Sequence, residues 1–430
     1  MTTLAFSLCF LLMIALMLVG IPIAVSMVLV GAGAGVFVFG TPFLASTGAM
    51  LWGVLNDNLL TAAPLFILLG ELLLRSGMAD RMYGAMSAWL SRMPGGLLHT
   101  NIACCALFAA TSGSSVATAA TVGTVALPSL HARKYPMPQS LGTLAAGGTL
   151  GILIPPSINM IVYGSLTENS IGKLFIAGII PGLLLTGSFM LFVFINSYFG
   201  GKVPREELPP LRERVRVLVH LIPPIVIFGI VMGSLYTGFA TATESAALGV
   251  VVALFFTWKA GRLSWSMLET CFLQTARTTG MIMLILAAAF VLNLLISLSG
   301  VAETMTKAVT SLGLSATAML LVLIVFYIIL GMFMDVMSML VATVPITYPI
   351  VMALGVDPIW FGIFIILMCE LALITPPVGM NLFVVQGVRP DRGGIGDVIK
   401  GSFPYVIIMM AFTLMLMAFP AIVTWLPSKM

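Results

Sequence analysis

The sequence predicts an all-α integral membrane protein made of two inverted repeats, each with five crossings, a re-entrant hairpin and a broken helix. Three observations lead there. The chain is 60% hydrophobic and only 8% charged, against roughly 25% charged residues in an ordinary soluble protein. Apolar runs of about 20 residues, the length of a membrane-spanning helix, recur from end to end. Proline and polar landmarks also recur at a fixed offset between the two halves. A chain with so few charges cannot clothe a soluble exterior, so lipid must face much of it. The net charge of +4 is small and does not point to nucleic acid.

Lysine and arginine mark the cytoplasmic loops. If the stretches 75–92, 133–134, 202–216, 259–277 and 389–400 lie inside, 16 of the 19 basic residues are inside, and only Lys173, Lys307 and Lys429 lie outside. This puts both termini on the outer side of the membrane. Met1–Thr3 lack the basic region of a signal peptide, so the first apolar run reads as a helix. Cys9, Cys104, Cys105, Cys271 and Cys369 sit in or beside apolar runs. They have neither metal-ligand spacing nor a disulfide pattern.

The first repeat covers 1–199. Helices are expected over 4–19, 22–40 and 56–75, with an interfacial segment over 77–92. Residues 97–131 start and end beside inside charges and are polar in the middle, at Thr111-Ser112-Gly113-Ser114-Ser115. Arms of about 16 residues reach about 24 Å, short of a hydrocarbon core of about 30 Å, so this is a re-entrant hairpin. A span over 139–166 is interrupted at Ile154-Pro155-Pro156-Ser157, and a helix over 174–199 returns inside. Residues 200–216 read as a cytoplasmic linker. The second repeat, 217–430, has helices over 217–236, 239–258 and 278–298, an interfacial segment over 300–313 and a hairpin over 315–352. A span over 358–387 follows, broken at Thr375-Pro376-Pro377-Val378-Gly379, and a last helix over 402–425.

The halves share landmarks. Pro155-Pro156 and Pro376-Pro377 are 221 residues apart, as are Pro128 and Pro349, and as are the hairpin tips Ser114 and Asp335. Five crossings are an odd number, so the second copy is inserted upside down. The charge distribution requires the same.

A Pro-Pro pair in mid-span removes two donors and clashes with the preceding turn. The helix must unwind there, and unwound backbone survives in a membrane only inside protein or beside a cavity. Such a place can hold a cation on bare carbonyls and an anion at half-helix N-termini, the device of secondary transporters. One half offers Ser112, Gly113, Ser114, Ser115, Pro155, Pro156, Ser157 and Asn159. The other offers Asp335, Ser338, Thr375, Pro376, Pro377, Gly379 and Asn381. Small-residue stretches such as Gly31–Gly35 and Gly147–Gly151 read as helix-packing surfaces.

Ionisable groups at mid-depth are costly and usually have a purpose. Asp335 is expected at the site, with a helix cap as the plainer alternative. Glu244, just inside its helix, is a candidate for a mechanistic role: it could be protonated, capped locally or placed to restrain the mobile part. Glu71 with Arg75 four residues on reads as an ordinary helix ion pair, and Glu370 has no assigned role. His99, His131 and His220 are expected at the solvated membrane boundary.

The segments Ala110–Ala117, Leu150–Ser157 and Ile374–Gly379 resemble the large membrane subunit of tripartite ATP-independent periplasmic (TRAP) transporters. Ala63–Glu71, Thr241–Ser245 and Gly331–Asp335 fit the same pattern, so the resemblance covers essentially the whole chain. It implies an elevator mechanism driven by sodium, with an organic anion as substrate. It implies a bacterial inner membrane with both termini periplasmic, and two partners: a small four-helix membrane subunit, here expected as a separate polypeptide, and a periplasmic substrate-binding protein. By match of motif, sodium would be held by Ser112, Gly113, Ser114, Gly151 and Pro155 in one half. In the other it would be held by Gly331, Asp335, Thr375, Pro376 and Gly379. Substrate would lie between them, against Ser114, Ser115, Pro156, Ser157, Asp335 and Thr375.

A stand-alone ion-coupled anion carrier is the alternative. A channel has less support, since no ring of like charges stands out. An enzyme using Ser114 and His131 is disfavoured by their separation in depth. The chain has no G-x-x-x-x-G-K-[ST] segment, so ATP is not expected to drive it.

Overall fold

A computed structural model describes residues 3–56, 60–200, 210–311 and 313–430, and the regular structure among them is entirely helical. The first half runs α1 (Thr3–Leu18), α2 (Ile23–Phe39), α3 (Pro42–Leu55), α4 (Ala62–Arg75), α5 (Met78–Leu90), α6 (Leu97–Ser112), α7 (Ser115–Ala132), α8 (Met137–Thr149), α9 (Ile158–Thr167) and α10 (Ile171–Gly200). A short α11 (Leu211–Val217) and a 3-10 turn lead into α12 (Ile222–Tyr236). Then follow α13 (Ala242–Lys259), α14 (Trp265–Ser299), α15 (Val301–Ser311), α16 (Ala316–Gly331), α17 (Val336–Ala353), α18 (Pro358–Ile374), α19 (Met380–Gly387), α20 (Gly396–Ala418) and α21 (Ala421–Thr424).

The matched landmarks of the sequence are matched structural elements. The arms α6 and α7 have 16 and 18 residues, and so do α16 and α17. Ser114 and Asp335 are each the N-cap of a second arm. Both Pro-Pro bonds, Pro155-Pro156 and Pro376-Pro377, are cis, and both lie in the gaps of the broken spans α8–α9 and α18–α19.

The first limbs of those spans form the centre. In α18 every residue from Trp360 to Ile374 is buried, and in α8 every residue from Ser140 to Thr149, as expected of helices apolar or small on all sides. Side chains such as Phe37, Trp52, Phe199 and Trp265 point outward on peripheral helices and are largely exposed, a surface suited to lipid. By length and composition six helical stretches can each cross a membrane: Ile171–Gly200, Leu211–Tyr236, Ala242–Lys259, Trp265–Ser299, Val336–Ala353 and Gly396–Ala418. Five of these coincide with crossings expected from the sequence, whereas Val336–Ala353 is an arm of the second expected hairpin; the remaining expected crossings fall on shorter apolar helices or broken pairs, which length alone does not count.

Several boundaries differ from expectation. α3 was not foreseen: Ala45-Ser46-Thr47-Gly48 dilutes its apolar signal. The hydroxyls of Ser46 and Thr47 fold back onto the carbonyls of Pro42 and Phe43 at 3.2 and 2.8 Å, and Phe43 packs its ring on Gly35. α14 starts at Trp265, not near 278, because Ser264 caps it by accepting from Met267 N–H at 3.2 Å. Charge marks where a hydrophobic span ends, whereas a cap marks where a helix ends. At about 1.5 Å per residue, the 35 residues of α14 far outreach a bilayer core. The last helix begins at Gly396 and ends at Ala418. His99 is fully buried rather than solvated, with Nε2 2.8 Å from the Pro94 carbonyl. Residues 201–209 of the linker and 57–59 of the third expected span lie outside the described residues.

The Glu71–Arg75 pair forms at 3.3 Å. Between α19 and α20, Arg389 gathers its loop by donating to Asp391, to the Gly394 carbonyl at 2.9 Å and to Asp397 at 2.7 Å. Its guanidinium hydrogen bond holds the Asp391 carboxyl below the usual range.

Candidate functional site

At the first hairpin tip Gly113 ends α6 in the left-handed region, φ 62°, and Ser114 turns extended to start α7. The Ser114 carbonyl accepts from Thr118 Oγ1 at 2.7 Å, and Thr118 also meets Ser112 Oγ at 3.0 Å. Ser115 donates to the Thr149 carbonyl at 3.0 Å, tying the tip to the end of α8. Two glycines permit this approach. A Cβ on Gly113 would lie 2.7 Å from the Pro156 carbonyl oxygen, and one on Gly151 2.8 Å from both the Ser114 oxygen and the Ser115 Cα. The tip therefore lies directly against the unwound segment 150–157. That segment ends where Ser157 caps α9, accepting from Met160 N–H at 3.4 Å.

The second tip uses a carboxylate where the first uses a hydroxyl. Asp335 caps α17 by accepting from Ser338 N–H at 3.2 Å and from the Ser338 hydroxyl. Gly331 lies against Ala372 of α18. In the second break Thr375 returns its hydroxyl to the Leu371 carbonyl at 2.6 Å, while its own carbonyl accepts from Gly379 N–H at 3.2 Å. A narrow crevice lined by Asp335 and Gly379 joins the tip to the break. Asn381 crosses between the halves, donating to the Ala145 carbonyl of α8 at 3.2 Å.

The two tips meet at one cavity of about 310 Å³. Its lining includes the first residues of four helices: Ser115 of α7, Ile158 and Asn159 of α9, Val336 of α17 and Met380 of α19. Four positive half-helix ends are thereby aimed at one space. No lysine, arginine or histidine is among the lining residues described. Asn159 is 4% exposed and its Nδ2 has no hydrogen-bond partner among the described residues, leaving an amide donor for whatever enters. Hydroxyls, one amide, N-terminal N–H groups and a single carboxylate can orient a small anion beside a monovalent cation.

Of the residues expected to contact substrate, Ser114, Ser115 and Asp335 line the cavity, together with Gly113. Pro156, Ser157 and Thr375 are not among the described lining residues, nor are Ser112, Gly151, Pro155, Gly331 and Pro376. Glu244 lies elsewhere. It is exposed and closes a capping box, accepting from Thr241 N–H at 2.8 Å and Thr241 Oγ1 at 2.9 Å. The Thr-x-x-Glu spacing is the sequence signal of such a box. Thr278, Met281 and Ile282 of α14 form a wall that sequence reading missed, and nothing local in that helix marks them out. Glu370 is fully buried in α18. The Leu153 N–H of the first break faces it without closing a hydrogen bond of good geometry.

Discontinuous helices whose N-termini surround one membrane-embedded cavity define a permease of the secondary-transporter class. The model of the DctM component of tripartite ATP-independent periplasmic transporters matches residues 10–422. The chain belongs to that family. It is 36% identical over 396 residues to the C4-dicarboxylate TRAP transporter large permease protein DctM of Pseudomonas aeruginosa, covering 91% of this chain and 92% of that one. It is 31% identical over 371 residues to the 2,3-diketo-L-gulonate TRAP transporter large permease protein YiaN of Escherichia coli, 86% of each chain. Among solved structures, the YdaH transporter of Alcanivorax borkumensis shares the fold, with a TM-score of 0.62 and 16% identity over 89% of this chain and 90% of that one.

Proposed function

We propose that this chain is the large permease of a sodium-coupled uptake system for a small organic acid. The observation that carries this is the convergence of four helix N-termini on one cavity with no basic side chain in its described lining. Helix N-termini favour carboxylates, and a volume of about 310 Å³ suits a small acid rather than a polymer. C4-dicarboxylates are the first substrates to try, since relatives carry that name. Sodium would sit on the carbonyls and hydroxyls of the two tip-and-break pairs: Ser112, Gly113, Ser114, Gly151 and Pro155, and Gly331, Asp335, Thr375, Pro376 and Gly379. An inward sodium gradient then supplies the work, and the membrane potential adds about 2.3 kcal/mol per charge per 100 mV. The expected transport step is an elevator movement of the hairpin-bearing part. A small membrane subunit and a periplasmic binding protein complete the system in the inner membrane.

Proteoliposomes containing the chain, the small subunit and the binding protein should accumulate labelled dicarboxylate only under an inward sodium gradient. Equal uptake with potassium would remove the sodium assignment. Full uptake by the chain alone would instead make it a stand-alone carrier.

The inverted arrangement makes its own prediction. The hairpin bases carry the exposed residues Lys134 and Thr317. In a Cys9→Ser background, the variants Lys134→Cys and Thr317→Cys should react with an impermeant maleimide from opposite sides of the membrane. Reaction of both from one side would rule out the inversion.

A further inference from the structure

A second cavity, of about 250 Å³, shares no lining residue with the first and lies where the bend between α4 and α5 meets the start of α12 and the end of α13. Its lining includes Arg81, His220 and Lys259, and no acidic residue. Arg262 reaches over Gly77 at the same bend, its Nε 3.9 Å from where a Cβ would stand. Among the described residues Arg81, Lys259 and Arg262 are in no ion pair. Unpaired cations gathered around a hollow call for an anion.

The remaining walls say which kind. Ile222, Pro223 and Phe256 line the hollow. Ile222 and Ile225 are about half exposed on the outer face of α12, continuing the apolar wall away from the cations. A free inorganic ion has no use for that surface, whereas acyl chains below a charged headgroup do. Arg81, Lys259 and Arg262 fall in stretches that the charge distribution assigns to the cytoplasmic side, where basic pockets between helices bind anionic lipid headgroups.

We propose that this cavity is a binding site for the phosphodiester headgroup of an anionic phospholipid, held by Arg81, Lys259 and Arg262 with the acyl chains against Ile222 and Ile225. Such a lipid would bridge α5, which packs on the hairpin arms α6 and α7, to α12 and α13. The 68° bend between α4 and α5 is thus clamped from outside.

The test is native mass spectrometry of the full-length chain in detergent, titrated separately with phosphatidylglycerol, phosphatidylcholine and inorganic phosphate. Phosphatidylglycerol should bind well ahead of phosphatidylcholine. Each of Lys259→Gln and Arg262→Gln should weaken it about fivefold, the worth of one basic residue at an anionic lipid. The variant Lys173→Gln, on the other side, should leave it unchanged. Equal binding of the two lipids, or no change in the variants, overturns the proposal. So does competition by inorganic phosphate at the lipid's own concentration, which would mark a free-anion site. Lys259 is exposed and its removal leaves the core intact. A photoactivatable phosphatidylglycerol gives an independent reading: it should label α12 or α13 in the wild type, and labelling confined to other helices counts against the site.

Discussion

Asp335→Ala should abolish sodium-driven uptake while the protein still inserts and folds. Two roles meet in this side chain. It caps α17 through Ser338, and it lines both the central cavity and the crevice toward Gly379. Loss of an N-cap costs about 1 kcal/mol, a melting shift of a few degrees that does not remove the fold. Asp335 is also the one carboxylate among the described residues of the cavity lining, so under the proposed sodium site the variant loses the charge that faces the cation, and uptake falls to background. Asp335→Asn separates the roles, because asparagine caps as well as aspartate but carries no charge. The expected pattern is near-normal melting with uptake lost in the Asn variant. Normal sodium-dependent uptake by Asp335→Asn would reduce Asp335 to a cap.

Gly151→Ala should be the more damaging change for structure, although it adds one methyl. That methyl would stand 2.7 Å from the Ser114 carbonyl carbon and 2.8 Å from the Ser115 Cα. These are backbone atoms of the opposite element and cannot rotate away. Overpacking costs about 1–3 kcal/mol, and here the strain must open the joint between the first tip and the first break. Uptake should fall to background, with a melting temperature several degrees lower. Gly233→Ala in α12 is the control: nothing lies within 4 Å of its added Cβ, and alanine is the better helix former by about 1 kcal/mol. That variant should keep uptake and melt no lower than the wild type. Retained uptake in Gly151→Ala would show that the tip and the break need not touch.

The positions of both breaks and both tips were legible because their causes are local. A proline lacks its N–H whatever surrounds it, and Ser114 and Asp335 cap the residues that follow them. The equal spacing of tips and breaks was legible from offsets alone. Helix boundaries were read less well where the signal used was apolarity. α3 was diluted by small polar residues, and α14 ran on through the charges that end its hydrophobic stretch. Glu244 was legible in part: of the alternatives open to it, the local cap that its Thr-x-x-Glu spacing spells is the one the helix start forms.

By itself, then, the sequence determined a helical membrane chain with two copies of a hairpin and a proline-broken span, and it named the polar residues at each interruption. Only the tertiary structure decided which of them share a space. It brought Ser114, Ser115, Asn159 and Asp335 to one cavity, left Pro156, Ser157 and Thr375 out of its lining, and added Thr278, Met281 and Ile282 from a helix with no local mark. The reason is physical. Interruption of a helix is a property of a few consecutive residues, whereas a cavity wall is made by the faces that distant helices turn toward one another. Those faces are set by close contacts such as Gly113 on Pro156 and Gly151 on Ser114, between residues that no local pattern pairs.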